Sequence, residues 1–153
     1  MSKSAFFYTG LFISMLFAFT CHGQVKPEDA ILGKWITIEG TLMIDVYKDK
    51  NDFKARITWF RNHDDTNSPM EKRLDKRNPD KSLRGKKILG MDVLKKLTYN
   101  ACTNRWEHGI IYDATSGREW DSAAWVSNKG LLKVRGFWQF EFMGKTLTFK
   151  RAV

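Results

Sequence analysis

The chain has little proline, 3 residues in 153, and little cysteine, only Cys21 and Cys102. So few prolines beside 14% aromatics argue against a disordered chain and for a packed one. Cleavage of a leader ahead of residue 24 would remove Cys21 and leave Cys102 alone, which excludes a disulfide scaffold. Histidine is scarce as well: His22, His63 and His108. His22 falls in the leader, and the other two lie far apart, one on a loop and one on a strand, so they make no metal site. Asp64 and Asp65 beside His63 form a triplet that polar loops produce by chance. No Ser, Cys or Lys stands beside a base that would activate it. No catalytic residue, metal or cofactor is therefore expected, and a non-enzymatic protein is favoured over an enzyme. A long hydrophobic run is missing too: the apolar stretch from Ala5 to Phe19 is shorter than the ~20 residues that cross a bilayer.

That stretch still has a meaning. Lys3 precedes it and small residues follow, the order of a secretory signal. The expected organisation is a signal peptide over residues 1–23 and a single domain over 24–153. Cys21 and Gly23 are the small residues that a cut before Gln24 requires. In a second reading Cys21 is the lipidated first residue of a lipoprotein, although Ala18-Phe19-Thr20 fits the preceding triplet poorly. The product is expected to be exported, periplasmic or extracellular: soluble in the first case, anchored through Cys21 in the second. An uncleaved membrane anchor is the bland alternative.

Lys and Arg number 26 against 17 Asp and Glu, a formal charge of +9, of which Lys3 contributes one unit. Much of the excess lies between Arg61 and Lys87, where Asp64, Asp65, Glu71, Asp75 and Asp80 interleave with the basic residues. The plain reading is a solvated loop. The sharper one is a patch for an anionic envelope polymer or lipid headgroups. Nucleic acid is not expected for an exported chain without a base-stacking motif.

Alternation marks strands with one buried face. Gly33 to Ile38 opens the series, followed by Thr41 to Lys48 with Leu42, Ile44 and Val46 on one side. Asp49-Lys50-Asn51-Asp52 is a turn cluster, and Phe53 to Phe60 places Phe53, Ala55, Ile57 and Trp59 on one face. From Arg61 to Leu83 the pattern stops, and a polar connection of that length is often a lid or binding loop. As a lid it would dock its Asn78-Pro79-Asp80 turn and Leu83 on the barrel rim and turn its charges to water. Ile88 to Leu97 fits a helical turn and a strand equally. Strands resume at Arg105 to Tyr112, Arg118 to Ser127, Leu131 to Phe142 and Lys145 to Arg151, separated by Gly-containing turns. The fold class is all-β: one antiparallel β-barrel of about eight strands with one long polar loop. Expected core positions are Trp35, Leu42, Ile44, Val46, Ile57, Ile110, Leu132, Val134, Leu147 and Phe149.

Four blocks carry a family resemblance. They are Gly33-Lys34-Trp35; Asn78-Pro79-Asp80 with Leu83-Arg84 and Ile88-Leu89-Gly90; Trp106, Gly109, Ile111-Tyr112-Asp113 and Gly117; and Leu132 to Phe137 with Gly144, Thr146 and Arg151. In this order and spacing the chain resembles the bacterial exported family called domain of unknown function (DUF) 2147. The resemblance implies a lipocalin-like, calycin-type barrel and no established activity. Ala114, Phe149 and Ala55 stand where the family usually has Pro, Trp and Gly, differences of turn and packing. In lipocalin-type barrels the first-strand Gly-x-Trp often packs beneath a last-strand Arg, here Trp35 and Arg151, with Arg135 the other candidate; a guanidinium on an indole stabilises by ~0.5–2 kcal/mol. Gly33, Asp113, Gly117 and Gly136 complete the residues read as structural.

For function, the candidate ligand-binding residues are Trp59, Trp106, Tyr112, Trp120, Arg135 and Trp138. Alternation places Trp106, Ile110 and Tyr112 on one face, with Trp120 and Trp138 on the same side. Such a set either fills a core or lines a pocket for a small apolar or amphipathic ligand. Arg135, alone among apolar neighbours, is either paired with Asp113, Glu119 or Asp121 or free to anchor a ligand carboxylate or phosphate. The leading expectation is an exported, non-enzymatic barrel with a small hydrophobic or amphipathic partner. The alternative is a filled barrel acting as an envelope interaction module through its basic loop. The oligomeric state is not legible.

Overall fold

A computed structural model describes residues 26–61 and 69–152. The expected leader, its cleavage points and the His63-Asp64-Asp65 triplet lie outside the described residues. Eight antiparallel strands close into a barrel in which every strand pairs with its sequence neighbours and β1 with β8. They are β1 (Gly33–Thr37), β2 (Leu42–Asp49), β3 (Asp52–Phe60), β4 (Asp92–Asn100), β5 (Arg105–Asp113), β6 (Arg118–Val126), β7 (Leu132–Phe137) and β8 (Lys145–Arg151). Closure leaves no edge strand to template aggregation. The ambiguous stretch near residue 90 is resolved as β4, a strand rather than a helical turn.

The strand expected over Leu131 to Phe142 ends at Phe137. Gln139 takes φ +62, and the Phe140 N–H donates to the Trp138 carbonyl at 2.7 Å, a tight turn that no ladder continues. The segment beyond folds back on β7, where the Arg135 guanidinium donates to the carbonyls of Glu141 and Phe142.

One end of the barrel is plugged. A short 3-10 helix, Pro27–Ile31, crosses it with proline in its first turn, where the missing N–H costs nothing. Trp35 and Trp106 stand beneath it, each 1% exposed. Their indole N–H groups donate to the Ile31 carbonyl at 2.8 Å and to the Glu28 carbonyl at 3.2 Å. Arg151, not Arg135, is the guanidinium over the Trp35 ring, 3.9 Å from its centroid. It also donates to the carbonyls of Leu32 and Ala30, so one side chain ties the last strand to the plug. Phe53, Leu97, Leu132 and Phe149 complete this floor at 0–2% exposure. Each such burial stabilises by about 1.5–3 kcal/mol. Of the expected core, Leu42 and Leu147 are only partly buried against it, and Ile110 leaves it.

Bulges explain Ile110. Between Trp106 and Gly109 the β5 strand carries one residue more than β6, and the extra His108 sits at φ +60. An added residue inverts the alternation beyond it. Trp106 stays inside with Ala124, but Gly109 and Ile111 then face inward with Ser122 and Trp120, while Ile110 and Tyr112 face outward with Asp121 and Glu119. The expected face uniting Trp106, Ile110 and Tyr112 is thus split. A second bulge does the same on β3: Ile57 pairs with Ile44, but Trp59 pairs with Met43, off the inner face.

Candidate functional site

The six candidate ligand residues do not converge. Trp106 lies in the floor, with Phe53 edge-on at 6.2 Å and Tyr99 tilted at 5.2 Å. Trp59 and Tyr112 are on the outer wall by register. Arg135 is half-buried on the outer wall, where Thr146 Oγ1, at 2.9 Å, joins the two carbonyls as its acceptors; it pairs with none of Asp113, Glu119 or Asp121. Only Trp120 and Trp138 meet, ring edge to ring face at 6.0 Å. They line a groove of about 260 Å³ with Ile110 and Phe137. A wider groove of about 660 Å³ runs along the wall between Trp125, Arg105, Arg135 and Phe142, with the Arg105 guanidinium over Trp125 at 4.7 Å and paired to Glu141.

Inside, the barrel changes character along its axis. Above the filled floor, Leu42, Phe60, Ile111, Trp120 and Leu147 share the inner face by register yet are only half-buried. This ring forms an apolar mouth at the end opposite the plug. Beneath it, Ser122 is 1% exposed, and its Oγ makes no hydrogen bond among the described residues. An unsatisfied buried hydroxyl costs about 1–3 kcal/mol. The backbone around it is close: a Cβ on Gly109 would fall 2.5 Å from Ser122 Oγ and 2.6 Å from Leu97.

The long connection docks through groups expected, in a polar loop, to be solvated charge. Asp75 is 0% exposed, and the Tyr112 hydroxyl lies 2.8 Å from both carboxylate oxygens. The Asn78 amide donates to the same carboxylate at 2.7 Å, and the Arg84 guanidinium donates to the Asn78 carbonyl at 2.7 Å. Asn78 of the Asn-Pro-Asp turn does dock, whereas Leu83 is only half-buried, so a carboxylate rather than an apolar side chain is the anchor. Burial, then the bond to Asp75, pushes the Tyr112 phenol up to about 12. Nearby Gly117, at φ +73, lets the Arg77 carbonyl approach so closely that a Cβ would stand 2.0 Å from it. Burial alone would raise the Asp113 carboxyl, but hydrogen bonds from Ser116 and Thr115 outweigh it and hold the group low. The signal in the sequence was the joint presence of Asp75, Asn78 and Tyr112 in otherwise unrelated segments. Only their meeting gives it sense.

A plugged, closed eight-stranded antiparallel barrel with a long strap over its wall defines a lipocalin-like fold. Protein HP1028 from Helicobacter pylori, described as belonging to the lipocalin family, superposes with a TM-score of 0.65 over 80% of this chain and 82% of its own, at 20% identity, which speaks to fold alone. Residues 33–151 match the family described as "Uncharacterized protein conserved in bacteria (DUF2147)", and the chain belongs to it. No curated protein matches the sequence.

Proposed function

We propose that the protein is an exported, non-enzymatic binding protein that takes a small apolar or amphipathic ligand at the mouth of the barrel, above the floor. The supporting observation is the partly buried inner ring of Leu42, Phe60, Ile111, Trp120 and Leu147 over the Ser122 hydroxyl, which has no partner among the described residues. Apolar walls with one polar group at the base are the ordinary make-up of a small-molecule site. The filled floor limits depth, so the ligand is short or projects from the mouth. The lipocalin-like fold is consistent with this and does not by itself establish it.

Native mass spectrometry of protein purified from its own envelope tests the reading. A co-purifying small molecule that is lost on Trp120→Ala supports it. A clean mass, with no uptake from a lipid and metabolite screen, overturns it. The mass of the N-terminus tests export: Gln24 as first residue marks a soluble product, and an acyl adduct on Cys21 an anchored one.

A further inference from the structure

Among the described residues, six large apolar side chains stand in water: Ile38, Leu74, Trp138, Phe140, Phe142 and Met143. All lie in connections that leave the strands at the end opposite the plug, and the Glu141–Met143 segment folds back along the wall to Arg105. Four belong to the single connection between β7 and β8, with Phe142 78% and Met143 69% exposed. Isolated exposed apolar residues are normal, but a contiguous set marks an interaction surface.

This set is built. The Arg135 guanidinium holds the carbonyls of Glu141 and Phe142, and Arg105 holds the Glu141 carboxylate. Gly144 is pressed onto β7, where a Cβ would lie 2.4 Å from the Gly136 carbonyl. The rings of Phe140 and Phe142 stack at 5.6 Å. The backbone is thus fastened to the wall while Phe140 and Phe142 stay exposed, Phe142 at the edge of the groove of Trp125 and Arg105.

The basic strap reaches the same end of the barrel as Trp138. Arg77 Nη1 donates to the Thr115 carbonyl at 2.6 Å on the β5–β6 turn, and Trp120, just past that turn, carries Trp138. In the described part of the strap, Lys72, Lys76, Lys81, Lys86 and Lys87 are exposed, against the exposed acids Glu71 and Asp80. Asp75, a third acid, is withdrawn from the surface by Tyr112.

We propose that this face docks on an anionic phospholipid bilayer, with Phe140, Phe142 and Met143 entering the interfacial layer and the strap lysines facing phosphate. Aromatic side chains favour that layer, and juxtaposed lysines are drawn to an anionic leaflet. Charge also argues against a second copy as the occupant, because each chain carries +9. The proposal goes beyond ligand binding at the mouth and does not rest on it.

The test is co-sedimentation of the protein with vesicles of phosphatidylcholine alone or mixed with phosphatidylglycerol. All variants keep residues 1–25, so any contribution of the leader is common to them. Wild type is expected to bind the mixed vesicles, and a double Phe140→Ser, Phe142→Ser variant to lose about tenfold or more in partitioning, as withdrawing aromatic area from an apolar phase requires. Circular dichroism should show the variant folded. A Lys72, Lys76, Lys81, Lys86→Gln variant should keep residual binding but lose its preference for the anionic vesicles. Failure of wild type to bind, or equal binding by the double Ser variant, overturns the proposal. So does a solution dimer that the Ser variant dissociates without any vesicle binding. None of these outcomes touches the Trp120-dependent mass adduct.

Discussion

At the plugged end, Trp35 and Trp106 are 1% exposed, and both indole N–H groups have acceptors within the first turn of the described chain. At the other end, every connection longer than a tight turn shows a large apolar side chain to water, and the inner ring is half-buried. The two ends draw on the same residue types. What differs is whether, among the described residues, a segment crosses the opening. The Pro27–Ile31 helix supplies carbonyls and Ile31 to the floor, and Arg151 rivets it there. Across the mouth, the strap docks to the outer wall at Tyr112 instead, leaving the opening uncovered by its anchor. One end is therefore filled and tied shut, while the inner ring at the other stays partly exposed.

The largest test of this contrast is at the floor. Trp106→Ala should cost about 3–5 kcal/mol, the usual toll of emptying a filled aromatic site, read from the midpoint of denaturant unfolding. Trp120→Ala at the mouth should cost less, under about 2 kcal/mol, since its side chain is only partly buried. Equal losses would mean that the mouth is core. Next, Arg151→Ala should cost about 1–3 kcal/mol, by removing a cation–π contact and leaving the Leu32 and Ala30 carbonyls without their donor.

The strap gives a smaller and pH-dependent effect. Tyr112→Phe should cost about 1–2 kcal/mol by stripping Asp75 of its hydroxyl donor, with the loss seen as faster proteolysis between residues 69 and 87. With the folded-state phenol raised from 10 to about 12, the folded chain holds that proton more tightly than the unfolded one. The stabilisation is thus complete below pH 10 and lost as pH rises from there to about 12. Absorbance titration should find a tyrosine that titrates near pH 12 and that Asp75→Asn shifts downward. Smallest of all, Phe142→Ser should leave the unfolding midpoint within the ~0.5 kcal/mol expected of a surface change, whatever it does to vesicle binding.

Period-two alternation between turns was enough to announce strands from Gly33, Thr41, Phe53, Arg105, Arg118 and Lys145, each within one residue of the observed start, because each strand's pleat writes its burial into adjacent residues. The Trp35 and Arg151 pairing, drawn from family likeness, is likewise a contact between two fixed strand positions. Position on the inner face was a different matter. Trp59, Ile110 and Tyr112 alternate correctly with their neighbours, yet bulges at β3 and at His108 turn them outward, and a bulge leaves no mark on local periodicity. Asp75 reads as one more acid in a charged loop until the phenol of Tyr112, 37 residues on, reaches it. Local sequence thus determined where the chain is extended and where it turns. Which side chains meet, which face water and which end stays open were decided by register and by long-range hydrogen bonds, whose partners only closure of the barrel brings together.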